Sequence, residues 1–408
     1  MNQALAGILG CALLIAVTCA AAQDWPQWRG PNRDGRTSGF TAPQVWPKEL
    51  TQKWSVTVGA GDTTPALVGD RLYAFGRQDA NEVISCLDAA SGKRLWEDRY
   101  AANHVVTGPA ARHPGPRSSP AVADGRVCTL GVGGILSCLD AATGKVVWRK
   151  QSTQDYLDTE YKFDSSMSPI VVDGLCIVYV GGKDKGAIIA FDVASGQARW
   201  KRDGEAPASS SPAVMTADGT KQIVTLSEKL VVGVSLADGK LLWQVPYQAK
   251  QGNNTTPVID GQTMVITGQA MATLAIKVSK QDGQFVVKEI WRNGDVQLGP
   301  RFTTPVLKDR LLFGFASGKF YCLSAKTGEM LWTDTVNRGA SGAIVDVGSC
   351  LMALTLNMEL VAYEPSPKQY TEIARFKVAN TETWAHPVIA GKRIYVRDQA
   401  TVTLWTMD

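Results

Sequence analysis

One short sequence pattern recurs along this chain of 408 residues and constrains its fold more than any other feature. The pattern runs from a small apolar residue through Asp, Ala, Ser or Thr and Gly to a Trp. Recurrence of such a unit indicates a solenoid or a radial array, in which each unit buries its apolar face against the next one. The clear copies are CLDAASGKRLW (86–96), CLDAATGKVVW (138–148), AFDVASGQARW (190–200), GVSLADGKLLW (233–243) and CLSAKTGEMLW (322–332).

Each copy has the features of a β-hairpin. In the first copy, an alternating apolar run precedes Asp88, whose side chain can cap backbone N–H groups in a turn. Gly92 can adopt the positive φ that such a turn requires. A second apolar run then ends at Trp96, so the pattern predicts a strand, a turn and a strand.

A second hairpin precedes each copy and makes the repeating unit four-stranded. It opens with Ser or Thr followed by Pro, which is tolerated at the first position of a strand because no ladder hydrogen bond is lost there. Gly342 takes the place of Pro in one unit. The residues that mark the other units are Pro65, Pro120, Pro169, Pro212, Pro257, Pro305 and Pro387.

These landmarks predict an all-β chain that folds as an eight-bladed β-propeller of four-stranded antiparallel blades. Beyond the first residues, no segment has the length and periodicity of an amphipathic helix. A pair of β-sandwiches is the alternative fold, but it would not need one turn sequence repeated at one period. The last unit offers only three strands after Pro387, so we expect the N-terminal strand around Trp54 to supply the fourth and close the ring.

The composition argues against a nucleic-acid-binding protein. The chain carries 42 basic and 38 acidic residues, a net charge of +4, and no basic run interleaved with aromatic residues. Residues 1–22 contain no charged side chain, have an apolar stretch and end in Ala20, Ala21 and Ala22. This pattern favours a signal peptide and export to the periplasm or cell envelope. A transmembrane anchor and a lipoprotein attached through Cys19 are the alternatives.

The cysteines beyond residue 22 follow no disulfide or metal-binding pattern. Cys86, Cys138 and Cys322 occupy one position of the repeat, where other copies have Ala190 or Gly233. Equivalent positions in different blades of a ring point in different directions, so these thiols need not meet. A preference for a small buried side chain explains them, and no CxxC spacing is present. The same interpretation applies to Cys128, Cys176 and Cys350 on second strands.

The repeat CLDAATGKVVW resembles that of the pyrroloquinoline quinone (PQQ)-like repeat propellers, and the resemblance covers residues 50–408. This family includes quinoprotein dehydrogenases and the outer-membrane assembly lipoprotein BamB, a non-catalytic scaffold. The segment DWPQWRGPNRDG (24–35) also resembles the start of many exported bacterial proteins with PQQ-like repeats. The resemblance implies that the repeat Trp packs at the joint between neighbouring blades. That role falls to Trp54, Trp96, Trp148, Trp200, Trp243, Trp291 and Trp332.

A quinoprotein dehydrogenase of this family, as the resemblance implies, holds PQQ with Ca²⁺ and needs a catalytic Asp and a stacking Trp. It often has two adjacent cysteines above the quinone ring. This chain has no adjacent cysteines and is too short for the long insertions of those enzymes. Its abundant aspartates, among them Asp88, Asp140 and Asp192, belong to hairpin turns. We therefore expect no catalytic, cofactor-binding or metal-binding residues, with PQQ and calcium as the alternative.

Two long loops, at 98–118 and 150–166, fall on the face formed by the 2–3 loops and the links between blades. Variable loops on a rigid scaffold are where binding sites usually lie. The first loop is basic, the second is acidic and aromatic, and the two could instead pair with each other. Arg301, Arg338 and Trp384 precede the inner strands of other blades, and they could line the same face or simply be solvated. The predicted partner or ligand face comprises His104, Arg112, His113, Arg117, Tyr156, Tyr161, Asp164, Arg301, Arg338 and Trp384.

The predicted domain organisation is a signal peptide at 1–22, an arm at 23–49 that packs on the propeller, and the propeller at 50–408. The arm contains three Trp residues, which would be costly to leave exposed. The predicted function is an exported, non-catalytic binding or scaffold propeller resembling BamB. We expect a monomer that docks a protein or peptide partner on its loop-rich face. The rival is a small PQQ-dependent oxidoreductase acting on an alcohol or a sugar.

Overall fold

A computed structural model describes residues 24–102, 108–151, 165–250 and 252–407. These residues form 32 β-strands and two short 3-10 helices, Gly108–Arg112 and Val296–Leu298. The strands assemble into eight four-stranded antiparallel sheets, which are the blades of an eight-bladed β-propeller. The predicted fold class is confirmed. The predicted signal peptide at 1–22 lies outside the described residues.

In blades 1 to 7 the four strands follow one another along the chain. The first strands of blades 1 and 2, 2 and 3, 4 and 5, and 6 and 7 contact each other. Blades 1 and 2 comprise β2 (Ala66–Val68), β3 (Arg71–Gln78), β4 (Asn81–Asp88), β5 (Arg94–Ala101), β6 (Ala121–Ala123), β7 (Arg126–Leu130), β8 (Ile135–Asp140) and β9 (Val146–Gln151). Blades 3 and 4 comprise β10 (Ile170–Val172), β11 (Leu175–Gly181), β12 (Gly186–Asp192), β13 (Ala198–Gly204), β14 (Ala213–Ala217), β15 (Thr220–Leu226), β16 (Leu230–Ser235) and β17 (Leu241–Pro246).

The remaining blades follow the same order, except that the last one takes a strand from the start of the chain. Blades 5 and 6 comprise β18 (Val258–Asp260), β19 (Thr263–Ile266), β20 (Thr273–Gln281), β21 (Gln284–Asn293), β22 (Val306–Lys308), β23 (Leu311–Ala316), β24 (Lys319–Ser324) and β25 (Met330–Thr333). Blades 7 and 8 comprise β26 (Gly342–Asp346), β27 (Leu351–Thr355), β28 (Glu359–Tyr363), β29 (Glu372–Lys377), β30 (Val388–Ala390), β31 (Arg393–Arg397), β32 (Thr401–Thr406) and β1 (Thr51–Thr57).

The ring closes as the sequence predicts. Strand β1 pairs antiparallel with β32, from Thr51 opposite Thr406 to Thr57 opposite Thr401. The N-terminal strand is therefore the outer strand of blade 8. This pairing occupies the edge of β32 that would otherwise present unpaired backbone groups.

The repeated turn sequence is explained by its hydrogen bonds. In blade 3, an Asp192 carboxylate oxygen accepts from both the backbone N–H and the hydroxyl of Ser195, each at 2.8 Å. Hydrogen bonds from Arg199 and then Ser195 lower the pKa of Asp192 to about 2. Gly196 completes the turn with φ +71°, a conformation that glycine adopts without steric cost.

The Gly and the Trp of the repeat meet across five of the blade joints. The Trp148 ring of blade 2 lies against Gly196 of blade 3, where an added Cβ would be 2.6 Å from the indole Cγ. The Trp148 indole N–H donates to the carbonyl of Val193 at 2.8 Å. Each turn Gly thus leaves room for the indole of the preceding blade. The same contact joins Trp54 to Gly92, Trp96 to Gly144, Trp200 to Gly239 and Trp291 to Gly328.

Two blade joints use the Trp differently. Trp332 donates to the Ser366 carbonyl of blade 7 at 2.8 Å. Trp243 donates instead to Gln222 within its own blade at 2.6 Å, and packs with apolar side chains of blade 5. The turn between β20 and β21 does not carry the repeat sequence, which explains why Trp243 lacks a Gly partner.

A ring of hydroxyl groups ties the inner ends of the blades together. At five blade joints, the Ser or Thr before the landmark Pro accepts a hydrogen bond from the equivalent backbone N–H of the preceding blade. These bonds run from Thr64 to Ser119, Ser119 to Ser168, Ser168 to Ser211, Thr256 to Thr304 and His386 to Thr64, with lengths between 2.9 and 3.0 Å. The Ser/Thr–Pro landmark therefore contributes hydroxyl acceptors as well as strand starts.

Residues 24–37, named here the plug, lie in the axial channel and contact all eight blades. Asp24 accepts from Gly69 in the first turn of blade 1, and Trp25 exchanges backbone hydrogen bonds with Leu67. Deeper in the channel, Trp28 donates to Thr256 at 3.1 Å. The chain returns along blades 7 and 8, where Thr37 donates from its backbone to Asp346 and from its hydroxyl to the Ile389 carbonyl. Blades 2, 3, 4 and 6 are contacted through Pro26, Arg33 and Arg29.

Two buried arginines anchor the plug. Arg29 donates to the Thr304 and Pro305 carbonyls at 2.9 and 2.8 Å, and Arg33 donates to the Pro212 carbonyl at 2.8 Å. Both residues adopt positive φ, which is uncommon outside glycine and persists only where the surroundings enforce it. Burial lowers the pKa of Arg29 to about 10 and that of Arg33 to about 9, so both are charged at neutral pH.

The six cysteines of the described residues are free and buried. Cys138 lies directly opposite Trp148 in the blade 2 sheet, and a small side chain is needed at this position. At the equivalent Gly233, an added Cβ would lie 2.2 Å from the Trp243 ring. Among the described residues, no helix has the length and apolar character needed to cross a membrane.

Candidate ligand and partner site

A cavity of about 770 Å³ opens at the axis on the loop-rich face. Its walls come from segments that precede the inner strands, from the link between blades 1 and 2, and from the 2–3 loops of blades 7 and 8. Trp28 lines it from the plug, so the plug closes the channel below. The cavity is therefore an axial pocket, named here the mouth cavity, with a floor made by the N-terminal arm.

Five of the residues predicted for the binding face line this cavity together. They are Arg112, His113, Arg117, Arg301 and Trp384. They come from the link between blades 1 and 2, the link between blades 5 and 6, and the link before blade 8. Four other predicted residues, His104, Tyr156, Tyr161 and Asp164, lie outside the described residues.

Arg338 does not line the mouth cavity as the sequence prediction expects. Its side chain is fully buried, forms an ion pair with Asp334 and lies over the rings of Phe320 and Tyr370. Burial raises the pKa of Asp334 above its ordinary value, against the opposing effect of the Arg338 charge. Arg338 thus has a packing role between blades 6 and 7, because its carboxylate partner lies four residues earlier in the same link.

An aromatic row forms one wall of the mouth cavity. The Trp384 indole meets the His113 ring edge-on at 5.2 Å and the Phe302 ring edge-on at 5.6 Å. The Arg301 guanidinium lies 4.9 Å from the Phe302 centroid. Such perpendicular ring contacts are favoured by the ring quadrupoles. The row joins three separate segments into one preformed surface.

The acidic residues of the cavity are already engaged. An Asp62 carboxylate oxygen lies 2.9 Å from His113 Nδ1, and this hydrogen bond raises the pKa of His113 above its usual value of 6.5. A Glu382 oxygen accepts from the Trp384 indole N–H at 3.1 Å. Arg117 is held by donation to the His113 carbonyl at 2.9 Å.

Two arginines of the cavity have no carboxylate partner within the described part of the chain. Arg112 and Arg301 are exposed, and neither pairs with a carboxylate of the described residues. The lining therefore contains three guanidinium groups and a histidine of raised pKa against two carboxylates. A concave site of this charge attracts anions.

His386 is the exception in the hydroxyl ring. It holds the position before a landmark Pro where other blades have Ser or Thr, and it lines the mouth cavity. Its ring contacts Trp28 edge-on at 4.5 Å, and neither ring nitrogen has a hydrogen-bond partner in the structure. Burial and the Arg29 charge keep the pKa of His386 well below 6.5, so its imidazole is neutral. Buried polar atoms without partners are rare and call for an explanation.

Sequence reasoning missed several cavity residues. Asp62, Phe302 and Glu382 carry no local motif that marks them. His386 could have been found, because it replaces Ser or Thr in a landmark that the other Pro-marked blades share. Trp28 could not, because its place in the channel depends on the path of the arm.

The described lining of the mouth cavity offers a cation two carboxylates, Asp62 and Glu382, each held by another side chain. No group of three or more His, Cys, Asp or Glu side chains among the described residues could hold a metal ion.

Comparison with known proteins identifies the family. A family model described as "Outer membrane protein assembly factor BamB" matches residues 80–334 and 287–408. The chain belongs to this family of PQQ-like repeat propellers. BamB of Shewanella oneidensis is 24% identical over an alignment 441 positions long, which covers 97% of this chain and 96% of that protein.

The relatives of the chain include both outer membrane protein assembly factors and dehydrogenases. BamB of Xanthomonas campestris is 27% identical over 51% of this chain, and the match spans 62% of that protein. A 1-butanol dehydrogenase (cytochrome c) of Thauera butanivorans is 26% identical over 54% of this chain. The match spans only 31% of the dehydrogenase, so the chain corresponds to a minor part of that enzyme.

Solved structures agree on the fold. BamB of Moraxella catarrhalis has a TM-score of 0.61 at 17% identity, covering 88% of this chain and 99% of that one. The quinohemoprotein alcohol dehydrogenase of Comamonas testosteroni has a TM-score of 0.67 at 15% identity, covering 95% of this chain and 81% of that one. At this identity the likeness concerns the fold alone.

Proposed function

We propose that this protein is an exported, non-catalytic scaffold of the bacterial cell envelope that docks a protein partner on the face around the mouth cavity. The observation that carries the proposal is the preformed row of His113, Trp384, Phe302 and Arg301 on the variable-loop face. Aromatic residues and Arg are the side chains most enriched at the centres of protein interfaces. The family match and the full-length similarity to BamB of Shewanella oneidensis support the scaffold role.

The location in the envelope is part of the same proposal. It is supported by the uncharged, apolar start of the chain, which ends in a small-residue cleavage site at Ala20, Ala21 and Ala22. Mass spectrometry of the mature N-terminus tests it. A mature chain that starts at residue 23 would support cleavage of a signal peptide after Ala22. A lipid-modified Cys19 at the N-terminus would instead support the lipoprotein alternative.

Capture of partners from solubilised envelopes of the native host tests docking. Arg301→Glu and Trp384→Ala alter the face around the mouth cavity. Arg310→Glu makes the same charge change on the opposite face, in the exposed turn between β22 and β23. We expect an outer-membrane assembly protein to co-purify with the wild type and with Arg310→Glu, and to be lost from the two face variants. Co-purification that is absent from the wild type, or unaffected by both face variants, would contradict the proposal.

The rival function is a quinone-dependent oxidoreductase, and the similarity to the 1-butanol dehydrogenase favours it. The test is to add PQQ and Ca²⁺ to the purified protein and to follow quinone absorbance and dye-linked oxidation of alcohols and sugars. We expect no turnover, because the two carboxylates of the mouth cavity are already held by His113 and Trp384. Stoichiometric PQQ binding with turnover would establish the rival instead.

A further inference from the structure

We propose that the mouth cavity binds a carboxylate group carried next to an apolar or aromatic group. The inference rests on the proposed function, since it names the chemistry by which this face would hold part of its partner. The same chemistry occurs at the C-terminus of a peptide and in a free organic acid, and the experiment below distinguishes the two sources.

The charge of the described cavity lining favours an anion that its own carboxylates do not supply. Asp62 and Glu382 are held by His113 and Trp384. Arg112 and Arg301 have no carboxylate partner among the described residues, and both face the cavity. Arginine presents a planar fork of N–H donors that matches the two oxygens of a carboxylate.

Around Trp28, the floor of the cavity also includes polar groups with donors or acceptors that no described residue uses. Both ring nitrogens of the buried His386 are unpaired. Ser168 and Ser211 accept hydrogen bonds from Ser119 and Ser168 respectively, and neither hydroxyl donates to any described residue. These hydroxyl protons can therefore donate into the cavity. A neutral imidazole adds one donor and one acceptor, so the floor can satisfy an anionic oxygen.

The remaining wall fits an apolar group beside the anion. Trp28, Phe302 and Trp384 present aromatic surface, and Ala343 and Leu356 add aliphatic surface. A volume of about 770 Å³ is far larger than one carboxylate needs and lies in the range of cavities that hold small molecules or short peptide ends. An inorganic anion such as phosphate would leave the aromatic surface unused.

Direct binding to the purified protein tests the inference. The probes are 3-phenylpropionate, its uncharged amide, the peptide N-acetyl-Ala-Ala-Phe with a free C-terminus, the same peptide amidated, and inorganic phosphate. Binding is measured by calorimetry and by the fluorescence of the cavity tryptophans, Trp28 and Trp384. We expect the acids to bind at least about tenfold more tightly than their amides and than phosphate, because charge-assisted hydrogen bonds are lost in the amides.

Matched variants locate the site. Arg112→Gln and Arg301→Gln should each weaken acid binding by about tenfold, while Arg310→Gln on the opposite face should leave it unchanged. His386→Thr should also weaken binding. This variant should fold, because Thr64, Thr256 and Thr304 occupy the equivalent position in other blades.

The outcomes separate the inference from the proposed function. Tighter binding of the peptide acid assigns the ligand to a chain end, and tighter binding of phenylpropionate assigns it to a free acid. Equal binding of acids and amides, tight phosphate binding, or indifference to both Arg substitutions would refute the inference. If acids fail to bind while the envelope partner is still lost with Arg301→Glu, the scaffold function stands without this ligand chemistry. If acids bind and no partner is captured, the carboxylate-binding inference is supported and the partner-docking proposal is refuted.

Discussion

Gly196 and Gly174 form a matched pair that isolates the packing of the blade joint from the conformation of the turn. Their φ angles are +71° and +73°. An alanine Cβ at Gly196 would lie 2.6 Å from the Trp148 ring, whereas at Gly174 it would have no heavy atom within 4 Å. Substituting each glycine by alanine therefore imposes the same backbone strain, but only one substitution collides with the neighbouring blade.

The expected magnitudes follow from this difference. The left-handed conformation costs an L-residue about 1–2 kcal/mol. Replacing Gly by Ala also reduces the conformational entropy of the unfolded chain, which stabilises the folded state by about 0.4–1 kcal/mol. Gly174→Ala should therefore lower the free energy of unfolding by about 1 kcal/mol. Overpacking adds about 1–3 kcal/mol, so Gly196→Ala should destabilise by about 2–4 kcal/mol in total.

The assay is equilibrium unfolding in guanidinium chloride, followed by tryptophan fluorescence and by far-ultraviolet circular dichroism, with coincident transitions as the two-state criterion. In a Trp148→Phe background, the additional cost of Gly196→Ala should shrink, because the smaller ring leaves space for the methyl group. Equal destabilisation by the two alanine substitutions would refute the explanation that the turn Gly exists to admit the indole.

Three further perturbations test the plug, the ring closure and the loop beside the cavity. Arg33→Met should lower stability by about 2–4 kcal/mol, because several buried carbonyls lose their donor, whereas Lys48→Met on the exposed part of the arm should be neutral in the same unfolding assay. Deletion of residues 23–57 should leave β32 as an open edge and increase its amide hydrogen exchange, and unchanged protection there would contradict the closure. The raised pKa of His113 means that its pairing with Asp62 stabilises the folded loop fully below about pH 6.5 and loses that contribution as pH rises through the folded pKa. Limited proteolysis of residues 110–117 should therefore be faster at pH 9 than at pH 6 in the wild type, and Asp62→Asn should remove the difference.

The sequence alone predicted the parts of this protein that depend on local chemistry. Period-two apolar runs specify strands, and Asp with Gly at fixed offsets specifies turns such as that of Asp192 and Gly196. Eight such units and one unmatched strand around Trp54 were enough to predict the blade number and the closure. The reason is that each signal lies within a few residues of the structure it encodes.

The tertiary structure decided which side chains share the mouth cavity. Arg112, Arg301 and Trp384 come from three different links, and only the closed ring brings them to one axis. Arg338 lies in the link between blades 6 and 7, which precedes an inner strand just as the links of Arg301 and Trp384 do. Its side chain is nevertheless buried and pairs with Asp334. No local pattern distinguishes these two outcomes.

The plug is the clearest case of a feature that the sequence suggested but only the structure located. Its Trp and Arg residues indicated packing against the propeller, but not insertion along the axis. Arg29 and Arg33 reach carbonyl groups in blades whose residues are 135 to 276 positions away in the chain. Contacts at such separations arise only when the eight blades surround one channel, so strands and turns could be predicted from the sequence while the floor of the cavity could not.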